Sequence, residues 1–89
     1  MCRNIRPLFN FDPPATDEEI YASSLQFVRK ISGSSFPSKN NEKIFYETVI
    51  NISGQIRAMI DNMVTTAPAK NREVEKEKAR QRNLKRFSN

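Results

Sequence analysis

FYETVINISGQIRAMIDNM, residues 45–63, is the stretch that decides the fold. Phe45, Val49, Ile52, Ile56, Met59 and Met63 follow one another at alternating steps of four and three, which keeps them on one side of an α-helix and is the seam rhythm of helix pairing. Lys43, Glu47, Gly54 and Asp61 fall opposite. With its flanks this helix spans about 26 residues, more than twice the usual globular length. It therefore either bridges the whole fold or pairs with a second copy of itself, and its six apolar residues form a core face or a dimer face. Pro68, inside residues 65–69, stops it and makes a linker.

A first helix is written upstream. The Thr16 hydroxyl can cap a first turn while Glu19, three residues on, reaches back to the Thr16 N–H. Asp17, Glu18 and Glu19 suit the positive end of the helix dipole. Ile20, Ser24, Phe27 and Ile31 recur at helical spacing, with Tyr21, Leu25 and Val28 widening the apolar side towards a second neighbour. Gly33 ends the helix as a left-handed cap, and Ser38 or Asn41 can open the next. Residues 1–15 read as an arm, since Pro7, Pro13 and Pro14 deny it a long helix while Ile5, Leu8, Phe9 and Phe11 give it apolar surface to bury. The expected fold is all-α. Two main antiparallel helices form a core with the arm over residues 1–69, and residues 70–89 form a basic, partly mobile C-terminal helix.

The chain has 89 residues and a net charge of +5, and the whole excess lies in the tail. Residues 70–89 carry eight basic side chains against three acidic ones, while residues 1–69 are balanced. Within the tail, Glu73 with Lys76, Glu75 with Lys78 and Glu77 with Arg80 are favourable pairs three apart. The surplus therefore comes from residues 78–86. A hydrophobic fraction of 37% is low for a globular chain, which points to a solvated segment, or to a partner that completes the core.

Composition excludes much chemistry. There is no histidine, which removes the commonest general base and most zinc geometries, and two glycines cannot write a phosphate loop or a dinucleotide fingerprint. No cofactor and no metal are expected. The acidic run Asp17-Glu18-Glu19 can hold a cation in principle, but it sits where a helix start wants negative charge. Asn51-Ile52-Ser53 matches a glycosylation sequon in mid-helix and is read as chance. The lone cysteine, Cys2, excludes an intramolecular disulfide; exposed by removal of Met1, it would be an N-terminal thiol whose thiolate Arg3 and Arg6 favour. No apolar run of about 7 to 15 residues makes a secretory signal, and none approaches the ~20 of a membrane span. A soluble, cytoplasmic protein is expected.

These residues carry a resemblance. Met1-Cys-Arg-Asn-Ile5, Asn10-Phe-Asp-Pro-Pro-Ala-Thr16 with Glu18-Glu-Ile20, Gln26-Phe-Val-Arg-Lys-Ile-Ser-Gly33, Pro37-Ser38, Thr66-Ala-Pro68 and Arg72-Glu-Val-Glu75 resemble a family of small bacterial proteins known as domain of unknown function 2277. This chain has Ala69-Lys70 where the family pattern often carries Pro-Arg. The resemblance implies a bacterial cytoplasmic protein with no established activity, and marks Cys2-Arg3 and the Arg29-Lys30 pair as positions to test.

The function expected is non-catalytic binding. Lys78, Arg80, Arg82, Lys85, Arg86 and Phe87, with Arg29 and Lys30, would engage a polyanion such as nucleic acid, or an acidic protein, with homodimerisation through the Phe45 to Met63 face. The competing class is a thiol-dependent enzyme, or a redox or metal-binding protein, using Cys2 with Arg3 and Arg6.

Overall fold

The structure, a computed structural model, describes residues 5–87, with the backbone alone for Phe87. Helix α1 runs Asp17–Ser32 and opens on the expected capping box: the Glu19 N–H donates to the Thr16 hydroxyl at 3.2 Å and the Thr16 N–H to the Glu19 carboxylate at 2.9 Å. Gly33 closes it at φ 71°, a left-handed conformation that costs glycine little, with its N–H on the Arg29 carbonyl. Helix α2, Glu42–Asn62, is 21 residues long. It is shorter than the span expected for it with its flanks because residues at both ends leave the α-helical conformation: a 3-10 turn occupies Lys39–Asn41, and Met63 is already extended at ψ 143°. Asn41 and Ser38 stand at the cap positions, but the Asn41 amide donates to the Ser38 hydroxyl at 3.1 Å and neither side chain caps a helical N–H.

The short connection turns the chain back, so α1 and α2 pack antiparallel. Val28, near the end of α1, packs with Phe45 and Val49 of α2, and Leu25, Tyr46 and Ile52 close around them. At the other end Asp17 meets Arg57. The buried row of α1 is Ile20, Ser24 and Val28, at steps of four, while Phe27 is 49% and Ile31 74% exposed. Rows at steps of four interdigitate when helices cross ridge into groove, and this moves the seam one residue off the row Ile20-Ser24-Phe27-Ile31. Ser24 is small, and its hydroxyl is satisfied by the Ile20 carbonyl at 3.0 Å, so a polar residue lines the tightest part of the contact at no cost in unmet hydrogen bonds.

The core is one contact deep. Among the described residues the buried hydrophobics are Ala15, Ile20, Val28, Phe45 and Val49. Of the helix-pairing face, Phe45 and Val49 are buried, Ile52 and Ile56 are half-buried, and Met59 and Met63 are largely exposed. The molecule measures 44 × 39 × 15 Å across its Cα atoms, and its radius of gyration is 15.9 Å, against about 12 Å for a compact domain of this length. The helices thus form a single layer.

The arm is buckled to the linker. Strand β1 (Phe11–Asp12) pairs in parallel with β2 (Lys70–Asn71), Phe11 opposite Lys70 and Asp12 opposite Asn71. Asn10 sits at φ 65°, a left-handed conformation asparagine tolerates better than most residues. Its carbonyl accepts from the Lys70 N–H at 2.8 Å, and its amide donates to the carbonyls of Ala67 and Pro68. Immediately after β2 the chain enters helix α3, Arg72–Phe87. Among the described residues 67% are helical and this two-residue pairing is the only sheet, so the fold is mostly all-α.

Candidate functional site

Helix α3 starts on a side-chain cap that the sequence reading did not assign. The Asn71 side-chain amide oxygen, Oδ1, accepts from the Val74 N–H at 3.1 Å. The next residue, Arg72, roots the helix to the rest of the molecule. Its guanidinium makes two parallel bonds to the Glu19 carboxylate at 2.8 and 2.9 Å, and its Nε donates to the Pro13 carbonyl at 2.7 Å. The same group lies 5.6 Å from the centre of the Phe11 ring, whose face also receives the Lys70 ammonium at 5.4 Å. Arg6 adds a longer contact to Glu19 at 3.9 Å. Three segments far apart in sequence therefore meet on one carboxylate.

This clamp sets the acid sensitivity of the fold. The Glu19 carboxyl is lowered from 4.5 to about 2, first by the Arg72 hydrogen bonds and then by the Thr16 N–H. A carboxylate depressed by folding contributes stability above its unfolded pKa and loses it as pH falls towards its folded one. Its side chain is 20% exposed, so solvent screens the pair only in part and the contribution is about 2 kcal/mol. Arg72→Met is expected to lower stability by about that amount at pH 7. The difference from wild type in urea denaturation should close as pH falls from 4.5 to about 2. A gap that persists unchanged at low pH would mean that Arg72 acts by packing alone.

Beyond its root α3 stands clear of the other helices. Every residue from Arg80 to Arg86 is exposed. Its early cations are partly neutralised from within: Lys78 lies 3.5 Å from Glu75, and Arg80 makes two bonds to Glu77, which also accepts from Gln81. Arg80 first, then Gln81, hold the Glu77 carboxyl at about 2. No acidic residue follows Glu77. Helical spacing places Lys78, Arg82, Lys85 and Arg86 within an arc of about 100°, with Arg80 on the far side. Lys85 and Arg86 also complement the negative end of the helix dipole.

The structure brings together only some of the expected site residues. Lys78, Arg80, Arg82, Lys85 and Arg86 share α3, whereas Arg29 lies ten residues beyond Glu19 on α1, about 15 Å along the helix. Arg29 holds the loop between α1 and α2: its Nε donates to the Ser35 carbonyl at 3.0 Å and its guanidinium covers the Phe36 ring at 5.4 Å. Lys30 is exposed. Cys2 and Arg3 lie outside the described residues, as does the side chain of Phe87. Arg6, the other residue grouped with Cys2, contacts Glu19. Among the described residues no three histidine, cysteine, aspartate or glutamate side chains gather as a metal site, and no helix is long and apolar enough to cross a membrane.

An open cleft of about 500 Å³ runs between α1 and α2 on one side of the layer, with Tyr21, Ile50, Ser53 and Gly54 among its walls. Arg57 at its end is committed: it donates to Asp17 at 2.8 Å, to the Ala15 carbonyl at 2.9 Å and to Asp61 at 3.3 Å. The Arg57–Asp17 and Arg72–Glu19 clamps escaped the sequence reading because the partners lie 40 and 53 residues apart and no local spacing announces them.

Residues 1–78 match the model of the DUF2277 family, described as an uncharacterized conserved protein. The chain belongs to this family. No curated protein and no solved structure matches it. The matched span contains both halves of the Glu19–Arg72 clamp and ends at Lys78, so the turns that carry Arg82, Lys85 and Arg86 lie beyond it.

Proposed function

We propose that the protein binds nucleic acid through α3, without catalysing a reaction on it. The observation that supports this most is the position of the charge. Lys78, Arg82, Lys85 and Arg86 occupy one face of a helix that is exposed from Arg80 to Arg86 and is clamped to the scaffold at its root. A helix of 16 residues is about 24 Å long and narrow enough to lie along a nucleic-acid groove, where each neutralised phosphate releases counterions. The basic face itself is made of lysine and arginine, and Gln81 at its edge is already bonded to Glu77, so we read the contact as one to backbone phosphate, indifferent to sequence.

On this reading residues 1–69 are the scaffold and residues 70–89 the binding element. A single cysteine suits work in a reducing compartment, the cytoplasm.

Binding of labelled duplex DNA and of single-stranded RNA, measured across a salt series, tests the proposal. Four phosphate contacts predict an affinity that falls about 100-fold between ~50 and ~200 mM salt. Affinity should change little when the sequence of the duplex is scrambled. Absence of binding at low salt would sink the proposal and leave an acidic protein as the partner to seek.

A further inference from the structure

Helix α2 carries all of its charge on one side. Glu42, Lys43, Glu47, Arg57 and Asp61 fall within an arc of about 140° on the helical wheel. The flank outside that arc presents Ile44, Thr48, Ile52, Gln55 and Met59, at steps of four and three, with Met63 just past the helix end and no ionisable group. Ile44 is 63%, Met59 54% and Met63 45% exposed. The cleft side of the layer takes Tyr21 and Ile50, so by helical geometry the uncharged flank of α2 belongs to the opposite surface, beside Phe27 and Ile31 of α1. The α2 flank of that surface is largely apolar, uncharged and open.

We infer that a second copy of this chain covers it, two α2 helices pairing across a two-fold axis. Domains are ordinarily built of two packed layers, and this one has a single layer 15 Å thick. The chain exposes 7275 Å², whereas a compact monomer of this size exposes about 5,400 Å². A stable interface takes about 800 Å² from each partner, less than half of that excess, which leaves ample allowance for α3 standing in solvent.

The chemistry of the flank selects a copy over a foreign partner. A charged partner finds nothing to pair with, whereas two identical uncharged faces meet without repulsion. The Gln55 amide both donates and accepts, so it can bond to its own counterpart across the axis, as an isologous contact requires, whereas the Thr48 hydroxyl already donates to the Ile44 carbonyl at 2.7 Å. The net charge of each protomer sits on α3, away from this seam. The inference does not depend on what α3 binds.

Sedimentation equilibrium without nucleic acid tests it on the full chain up to about 100 μM. The wild type should sediment at twice the chain mass. Met59→Glu places a charge at the centre of the flank on a side chain already half exposed, and should give a helical monomer by circular dichroism. Ile50→Glu, equally exposed on the other surface, should leave the dimer intact. A monomeric wild type overturns the inference, and so does a pair of variants that behave the opposite way round.

Discussion

Phe45→Ala is expected to bring the protein to the edge of unfolding at 25 °C. The ring is 7% exposed, packs against Val28 and Val49, and meets the Tyr46 ring edge-on at 5.0 Å. Truncating a buried phenylalanine costs about 3 to 5 kcal/mol, comprising the lost transfer energy and the cavity left behind. In a larger domain that loss is survivable. Here the buried hydrophobics among the described residues are five, Ala15 among them, and a domain of this size is stable by only about 5 kcal/mol to begin with. Phe27→Ala supplies the contrast: the same chemical change at a ring 49% exposed should cost about 1 kcal/mol or less. Urea denaturation of the two variants measures both. A Phe45→Ala protein that still unfolds within 1 kcal/mol of wild type would mean that α1 and α2 are not held together at that seam.

The second large effect concerns α3. Replacing Arg82, Lys85 and Arg86 together by glutamate is expected to lower affinity for duplex DNA by at least about 100-fold and to flatten its salt dependence. These residues are exposed, lie beyond the Arg72 clamp and leave the core untouched, so thermal stability should move little. Lys39→Glu with Lys43→Glu, which shifts the net charge two-thirds as far, shows what net charge alone does. That pair sits at the start of α2, far from α3, and should weaken binding only a few-fold through the long-range field. Equal losses from both sets would show that the protein is held by its overall charge and that α3 is not the contact.

What the sequence disclosed and what it hid divide along physical lines. Thr16 and Glu19 are legible as a capping box, and Gly33 as a left-handed stop, because each is a local arrangement within a few residues. The charge of the tail is legible for the same reason, and so are the pairs of Glu75 with Lys78 and Glu77 with Arg80, which the helix itself brings together. The row of α1 that faces α2 is not, since Val28 and Phe27 are adjacent in sequence and only the crossing of the helices chooses between them. The second role of Glu19, holding Arg72 across 53 residues, leaves no periodic trace, and a strand pair two residues long is too short to show alternation. Arg57 reads as one more surface cation until Ala15 and Asp17 are seen around it.

The buckle between residues 10–12 and 67–72 has a kinetic consequence. It is made of a two-residue strand pair, the Asn10 bonds, the Phe11 stack and the Arg72 clamp, none of which includes a residue of the α1–α2 seam. It can therefore open while that seam stays closed, as a separate cooperative unit of lower stability. In native-state hydrogen exchange the amide of Lys70, which donates to the Asn10 carbonyl, should exchange together with the first turns of α3 and well before Val49 at the centre of the seam. The direction in which α3 points is then a property that comes and goes faster than the fold itself, so the scaffold can remain intact while the helix is released to search and is clamped again.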